Sequence, residues 1–277
     1  MGMTTGFAGG LLCALTAVTM TFSTAAADTM KPSFVVDGKL NICTTAGFPP
    51  LTYLENPSDT RPVGIDIDIA DALAKHWSAT EVKFSTSGFD GLLPSLASGR
   101  CDLVISGIYL NDKRRESYDG VPYLKSAAVI VTLATNTDIN KPEDLSGKRM
   151  ALEAGTAYAD TPQEMNEQFA KEGRAPVVAN TYESQVAAAQ QVLIGRADAT
   201  LTEVAEASVR IKQTSNRLKI AYAYPPDGIY GIYIRKSPDD LKALRAAMKE
   251  LRKSGRIEAV AKKFNMPVAD FGVDYDS

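Results

Sequence analysis

Leu93-Pro94-Ser95-Leu96-Ala97-Ser98-Gly99-Arg100-Cys101-Asp102-Leu103-Val104-Ile105-Ser106-Gly107 returns later in the chain as Gln190-Gln191-Val192-Leu193-Ile194-Gly195-Arg196-Ala197-Asp198-Ala199-Thr200-Leu201-Thr202-Glu203. Each stretch reads as a helix that stops at Gly, turns through Arg-x-Asp and enters a short buried strand. The far end of that strand carries a small hydroxyl residue followed by a second polar or flexible one. The repetition predicts two similar α/β lobes. Ligands in open α/β sheets sit at the carboxyl ends of strands, so Ser106-Gly107 and Thr202-Glu203 are expected to form opposite jaws of one cleft.

The flanking sequence extends both lobes. Lys39–Thr44 reads as a first strand ending in the loop Ala46-Gly47-Phe48-Pro49-Pro50. Residues 64–74 carry a helical stripe in which Ile65, Ile69, Ala72 and Leu73 face the core. Glu81–Phe84 is a second strand, and Asp90–Ser98 is the helix before the repeat's first strand. The order β-α-β-α-β with short links predicts a parallel, helix-covered sheet. A smaller lobe follows the same order, with strands at Arg149–Leu152 and Pro176–Val178 and helices at Pro162–Glu172 and Ser184–Ile194. Val129–Leu133 reads as the strand leaving the first lobe and Gly228–Arg235 as the return, a pair of crossings able to act as a hinge. The apolar stripes Leu241, Leu244, Ala247, Met248, Leu251 and Ile257, Val260, Ala261, Phe264 predict two final helices packed on the first lobe. The expected division is a signal segment at 1–27, a discontinuous first lobe at 28–129 plus 226–277, and a second lobe at 130–225.

Composition narrows the function. The 277 residues are 45% apolar with a formal charge of −3, ample for two domains and without the basic surplus that would hold nucleic acid. One His and three Cys argue against a zinc site, so neither metal nor cofactor is expected. Residues 1–27 carry no charged side chain and run through an apolar stretch to Ala25-Ala26-Ala27-Asp28, as a secretory signal does, although the usual leading Lys or Arg is missing. The mature protein is therefore expected outside the cytoplasm. Cys43 and Cys101 are expected as two buried thiols on neighbouring strands of the first lobe, because a bridge needs a Cβ geometry that spacing does not establish. His76 and Trp77 read as packing residues at a helix end.

Asn111-Asp112-Lys113-Arg114-Arg115-Glu116 follows the first jaw and places a guanidinium a few residues beyond the strand end. An Arg held there can grip a carboxylate with two parallel hydrogen bonds, while its neighbour stays solvated. With Ser106-Gly107-Ile108, Arg114 and Tyr118-Asp119-Gly120-Val121-Pro122-Tyr123, the chain resembles the bacterial extracytoplasmic solute-binding proteins of family 3, the polar amino-acid importers. Phe48-Pro49-Pro50-Leu51, Gly64–Ala70, Phe89–Leu96, Asp144–Lys148, Ala154-Gly155-Thr156 and Gly195–Ala199 extend the likeness in family order across nearly all the mature chain.

The resemblance implies a periplasmic binding protein type II-like fold: two parallel-sheet α/β lobes joined by a two-strand hinge and closing over an amino acid. It places Arg114 on the ligand carboxylate, Gly107 on a backbone contact, Thr156 with Ala157 beside it on a carboxylate contact from the other lobe, and Phe48 and Phe89 on the aromatic walls. Glu203 falls on the partner of the α-ammonium, where the family usually has Asp. Ser106 completes the first jaw, and Tyr109 stands where a small hydroxyl residue usually meets the ligand. Thr45 stands where an acid often sits, a loss that Glu153 or Asp160 could make good.

Some relatives are cyclohexadienyl or arogenate dehydratases, and Asn111 and Glu206 match their pattern. The Lys that those enzymes carry is replaced by Ala127-Ala128, and Glu206 reads more simply as a charge at a helix start. The expectation is a periplasmic, monomeric receptor without catalytic residues that delivers an amino acid or related small carboxylate to the membrane permease of an ABC importer. A signalling receptor is disfavoured because nothing after Ser277 could carry the signal.

Overall fold

The computed structural model describes residues 1–6 and 30–277. The expected signal segment therefore lies almost wholly outside the described residues. The chain first forms β1 (Lys39–Thr44), the hairpin β2 (Gly47–Phe48) and β3 (Thr52–Tyr53), α1 (Ile65–His76), β4 (Glu81–Thr86), α2 (Leu92–Ala97), β5 (Leu103–Tyr109), α3 (Asp112–Ser117) and β6 (Tyr118–Ser126). A second set follows: β7 (Ala128–Leu133), β8 (Arg149–Glu153), α4 (Thr161–Lys171), β9 (Val178–Tyr182), α5 (Gln185–Leu193), β10 (Ala199–Glu203), α6 (Val204–Gln213) and β11 (Leu218–Ala223). β12 (Gly228–Arg235), α7 (Pro238–Lys253) and α8 (Arg256–Lys263) complete it.

Two five-stranded sheets result, ordered β4-β1-β5-β12-β6 and β11-β7-β10-β8-β9. Read in opposite directions these orders correspond strand for strand, so both lobes have one topology. Each sheet pairs three strands in parallel and adds two through antiparallel pairing. The expected parallel sheet is thus mixed. The reason lies in the crossing: β7 and β12 enter from the other lobe at the cleft end and run away from it, opposite to β10 and β5. Neither strand spans the lobes, as had been expected of both. The links are Ala127, between β6 and β7, and residues 224–227, between β11 and β12.

β6 and β11 had no counterpart in the sequence reading. Gly120 and Pro122 suggest a turn, yet β6 is an edge strand, where a proline's missing N–H is tolerated. β9 begins where the expected strand at Pro176–Val178 was to end, so its register is shifted.

The repeat has a physical basis. Gly99 and Gly195 both end their helices in the left-handed region, at φ 75° and 73°. Asp102 accepts from the Asn41 backbone N–H at 3.0 Å, and Asp198 accepts from that of Arg149 at 2.8 Å. In return the amides of Asp102 and Asp198 donate to the carbonyls of Asn41 and Arg149, each at 2.8 Å. The Asp of Arg-x-Asp therefore pins the incoming strand to its parallel neighbour in both lobes. Each jaw is held at a fixed height above its sheet.

Ile65, Ile69 and Leu73 of α1 are buried in one core with Ile42, Leu103, Ile232, Leu244, Met248 and Ile257, which docks α7 and α8 on the first sheet. Trp77 is buried at the end of α1, edge-on to Phe34 with ring centroids 5.9 Å apart. Cys43 and Cys101 form a disulfide, with Cα atoms 5.7 Å apart. This corrects the expectation of two thiols: parallel pairing of β1 with β5 brings the Cys101 turn alongside Cys43, a proximity that only the register creates. The bridge spans 58 residues of sequence, and closing a loop of that size removes chain entropy worth about 4 kcal/mol. Reduction with dithiothreitol is expected to lower unfolding stability by about 2–4 kcal/mol, read from urea unfolding of the oxidised and reduced protein side by side.

Candidate functional site

The carboxyl ends of β5 and β10 face each other, and the residues beyond them enclose an inner chamber of about 30 Å3. Its wall contains Thr45, Phe48, Phe89, Gly107, Tyr109 and Arg114 from the first lobe, and Glu153, Thr156, Ala157, Tyr158, Gln185, Thr202 and Glu203 from the second. Every residue expected at the site except Ser106 is on this wall. Ser106 lies behind it, where its hydroxyl accepts from the Thr45 backbone N–H at 2.9 Å and bonds the Thr45 hydroxyl at 3.0 Å.

Local sequence explains how Arg114 is aimed. Asn111 caps α3 by accepting from the Arg114 backbone N–H at 2.9 Å, which sets the helix start three residues before the arginine. The guanidinium then donates through Nη1 to the Tyr109 carbonyl at 2.9 Å and through Nη2 to the Gly155 carbonyl of the other lobe at 3.1 Å. Its Cζ lies 5.8 Å from the centre of the Phe89 ring. Burial lowers the Arg114 pKa from its usual value, but the group keeps its charge. Arg115 lines a different, outer cavity.

Gly107 meets two demands at once. Its φ is +59°, and a Cβ there would come within 2.9 Å of Phe48 Cε1, so the aromatic wall rests directly on its backbone. Its N–H donates to the Tyr123 hydroxyl at 3.2 Å, and that hydroxyl donates to buried Asp66 at 2.8 Å. Any backbone contact that Gly107 offers the cleft must therefore use its carbonyl. Gly155 allows an equally close approach from the other lobe, since a Cβ there would lie 2.7 Å from Asp90 Cα.

The second lobe supplies carboxyl groups. Glu203 is buried, takes a hydrogen bond from the Ser126 hydroxyl at the crossing, and leaves Oε1 without a partner. Burial pushes its pKa up to about 7, against the lowering effect of the Ser126, Tyr109 and Tyr230 hydroxyls. Burial and the nearby Glu206 charge push Glu153 up to about 8. Glu206 is not on the chamber wall: it bonds Thr202 at 3.0 Å and pairs with Arg210 at 2.6 Å. Asp160 faces Lys113 across the lobes at 3.7 Å and does not enter the chamber.

Tyr158 and Gln185 were missed from sequence. Gln185 is the first residue of α5, after the Ser184 cap, and a helix start following a strand end was the available signal. Tyr158 adjoins Ala157, but nothing local shows that its ring turns toward the cleft. Among the described residues no group of His, Cys, Asp and Glu could hold a metal ion.

A chamber with one arginine on one jaw and, on the other, Glu153 and a Glu203 carboxyl with one free oxygen suits a ligand that carries both charges. The family model of bacterial extracellular solute-binding proteins, family 3, matches residues 40–267. The chain belongs to this family. It is 28% identical over 254 residues to the L-cystine-binding protein TcyJ of Escherichia coli (strain K12), covering 87% of this chain and 89% of that one. Its fold superposes on an ancestral arginine-binding protein bound to arginine with a TM-score of 0.74 at 32% identity, over 82% of this chain and 98% of the other. It also matches the ancestral amino acid-binding protein AncCDT-1, a precursor of cyclohexadienyl dehydratase, with a TM-score of 0.69 at 27% identity, over 82% and 95%. The fold is the type II binding-protein architecture expected from the sequence, with mixed sheets.

Gly107→Ala is expected to cost about 1–2 kcal/mol from the left-handed backbone alone and to lift Phe48 off the wall. Urea unfolding reads the first effect, and a crystal structure of the variant reads the second.

Proposed function

We propose that this protein is the substrate-binding component of an ABC importer, and that it captures an amino acid between two lobes that close on it. The observation that carries this reading is the pairing of Arg114 and Glu203 on opposite jaws of one chamber. The guanidinium takes the ligand carboxylate, the free Oε1 of Glu203 takes the ammonium, and Phe48 and Phe89 exclude water, which strengthens both contacts. Thr156 and Ala157 bring backbone from the second lobe to the carboxylate end. The moving bodies are the two lobes drawn from the sequence, turning on Ala127 and residues 224–227. The closed form presents the joint surface of both lobes to the permease.

The protein acts as a monomer in the periplasm on this reading; export by its leading segment agrees with the family's description as extracellular and with the Cys43–Cys101 bridge, which forms in oxidising compartments. No helix among the described residues is long and apolar enough to cross a membrane. Binding without catalysis is the reading Glu206 supports. Its pairing with Arg210 and its place off the wall take the one acid that matches the dehydratase pattern out of the chamber.

Arg114→Ala leaves a buried ligand carboxylate unpaired and is expected to weaken binding by about 3–5 kcal/mol; titration calorimetry with a panel of amino acids and small carboxylates decides it, and undiminished affinity removes Arg114 from the site.

Closure also carries a pH signature. Glu153 and Glu203 titrate near 8 and 7 in the closed cleft, above the ordinary 4.5, so the closed form without ligand binds more protons than an open, hydrated one. The favourable contribution is complete below about pH 4.5 and fades as pH rises through 7 to 8. Small-angle scattering of ligand-free protein is expected to give a smaller radius of gyration at low pH than at high pH, with the difference reduced in Glu203→Gln.

A further inference from the structure

Beside the inner chamber lies an outer cavity of about 530 Å3. Leu110, Leu201 and Ile229 form its apolar surface, and Asn111, Arg115 and Asp227 are among its polar groups. The two spaces share three residues, Tyr109, Ala157 and Tyr158. The Tyr158 hydroxyl donates to the Tyr109 hydroxyl at 3.2 Å, and the rings meet edge to face at 89° with centroids 6.1 Å apart. One tyrosine comes from each lobe, so the pair forms a partition across the cleft.

Tyr109 is held rigidly in that partition. Its ring lies so close to the Gly228 backbone that a Cβ there would come within 2.3 Å of Tyr109 Cε1. On another side it packs on Tyr230 with centroids 5.0 Å apart. A ring fixed by backbone on one side and a buried aromatic on another does not swing aside for a ligand. It also stands against Glu203, whose carboxylate and the Tyr109 phenol perturb each other's ionisation. Glu203 is the acid assigned above to the ligand ammonium, so this inference rests on that reading. The partition therefore stands at the nitrogen end of the ligand, with free volume beyond it.

We infer that the Tyr109–Tyr158 partition selects amino acids with an unsubstituted ammonium and that Tyr109 is the residue that excludes N-substituted ones. A primary ammonium fits between Glu203 and the partition. A substituent on the nitrogen would have to occupy the space of the Tyr109 ring before reaching the outer cavity. Removing that ring joins the two spaces and gives a substituent on the nitrogen room to extend into the outer cavity.

The test is calorimetry of the wild type, Tyr109→Ser and Tyr109→Ala with L-arginine, L-glutamine and L-alanine, each as the free amino acid and as its Nα-methyl and Nα-carboxymethyl derivatives. The wild type is expected to prefer the free amino acid by about 100-fold or more. Tyr109→Ser is expected to cut that preference to about 10-fold or less, through gained affinity for the derivatives. Tyr109→Ala is expected to act in the same direction, which covers the case in which Tyr109→Ser does not fold. Equal binding of free and N-substituted forms by the wild type, or an unchanged preference in both variants, overturns the inference. If the wild type binds none of these amino acids, the reading of the ligand falls instead. A crystal structure of Tyr109→Ser, or of Tyr109→Ala, then decides the partition: joined cavities uphold it, and a chamber closed again by the remaining tyrosine overturns it.

Discussion

A guanidinium that reaches two backbones at once organises this protein. Arg114 donates to the Tyr109 carbonyl in its own lobe and to the Gly155 carbonyl across the cleft, so one side chain belongs to both halves of the closed form. A half-buried cation needs partners, and the two carbonyls leave it charge-unbalanced. The balance must come from an anion within reach. In the proposed function a ligand carboxylate supplies it, so that one contact would serve both recognition and closure.

Backbone approach at three glycines makes that geometry attainable. Gly107 lets Phe48 lie on the strand end, Gly155 lets the second lobe come down on Asp90, and Gly228 gives the Tyr109 ring its place. Each position sits where one layer presses on another, and a methyl group at any of them would hold the layers apart. The small inner chamber follows from these contacts. So does the burial that raises Glu153 and Glu203, because carboxyls shut away from water favour their neutral form until a cation arrives.

Symmetry between the lobes explains where chemistry is placed. Both sheets set a parallel strand end, β5 or β10, at the cleft and brace it through an Asp bound to the start of the neighbouring strand. The lobes then diverge in charge: the first adds a cation through α3 directly after its jaw, whereas the second adds acids at and behind its own. Opposite charge on two copies of one scaffold is what the proposed ligand, carrying both signs, would use. The disulfide braces only the first lobe, beneath the jaw that carries Arg114.

Much of this was legible in the sequence, because the deciding features are local. Helix–Gly–Arg-x-Asp–strand announces itself twice through periodicity and a left-handed stop, and a guanidinium next to a strand end follows from counting residues. Arg114, Gly107, Phe48, Phe89, Tyr109, Thr156, Ala157 and Glu203 reach the chamber as expected, since strand ends place them there. What depends on partners distant in sequence was not legible. The Cys43–Cys101 bridge needed the register of β1 on β5, and β6 needed its place at a sheet edge to tolerate Pro122. Ser106 was turned behind Thr45 by pleat and hydrogen bonding, and the Tyr109–Tyr158 partition exists only where two lobes meet. The sequence by itself determined two like lobes with opposite charges at their facing ends, because period, turn residues and charge are properties of neighbouring residues. Only the tertiary structure decided which side chains share the closed space and how large it is, because contact across a cleft is set by packing between segments dozens of residues apart.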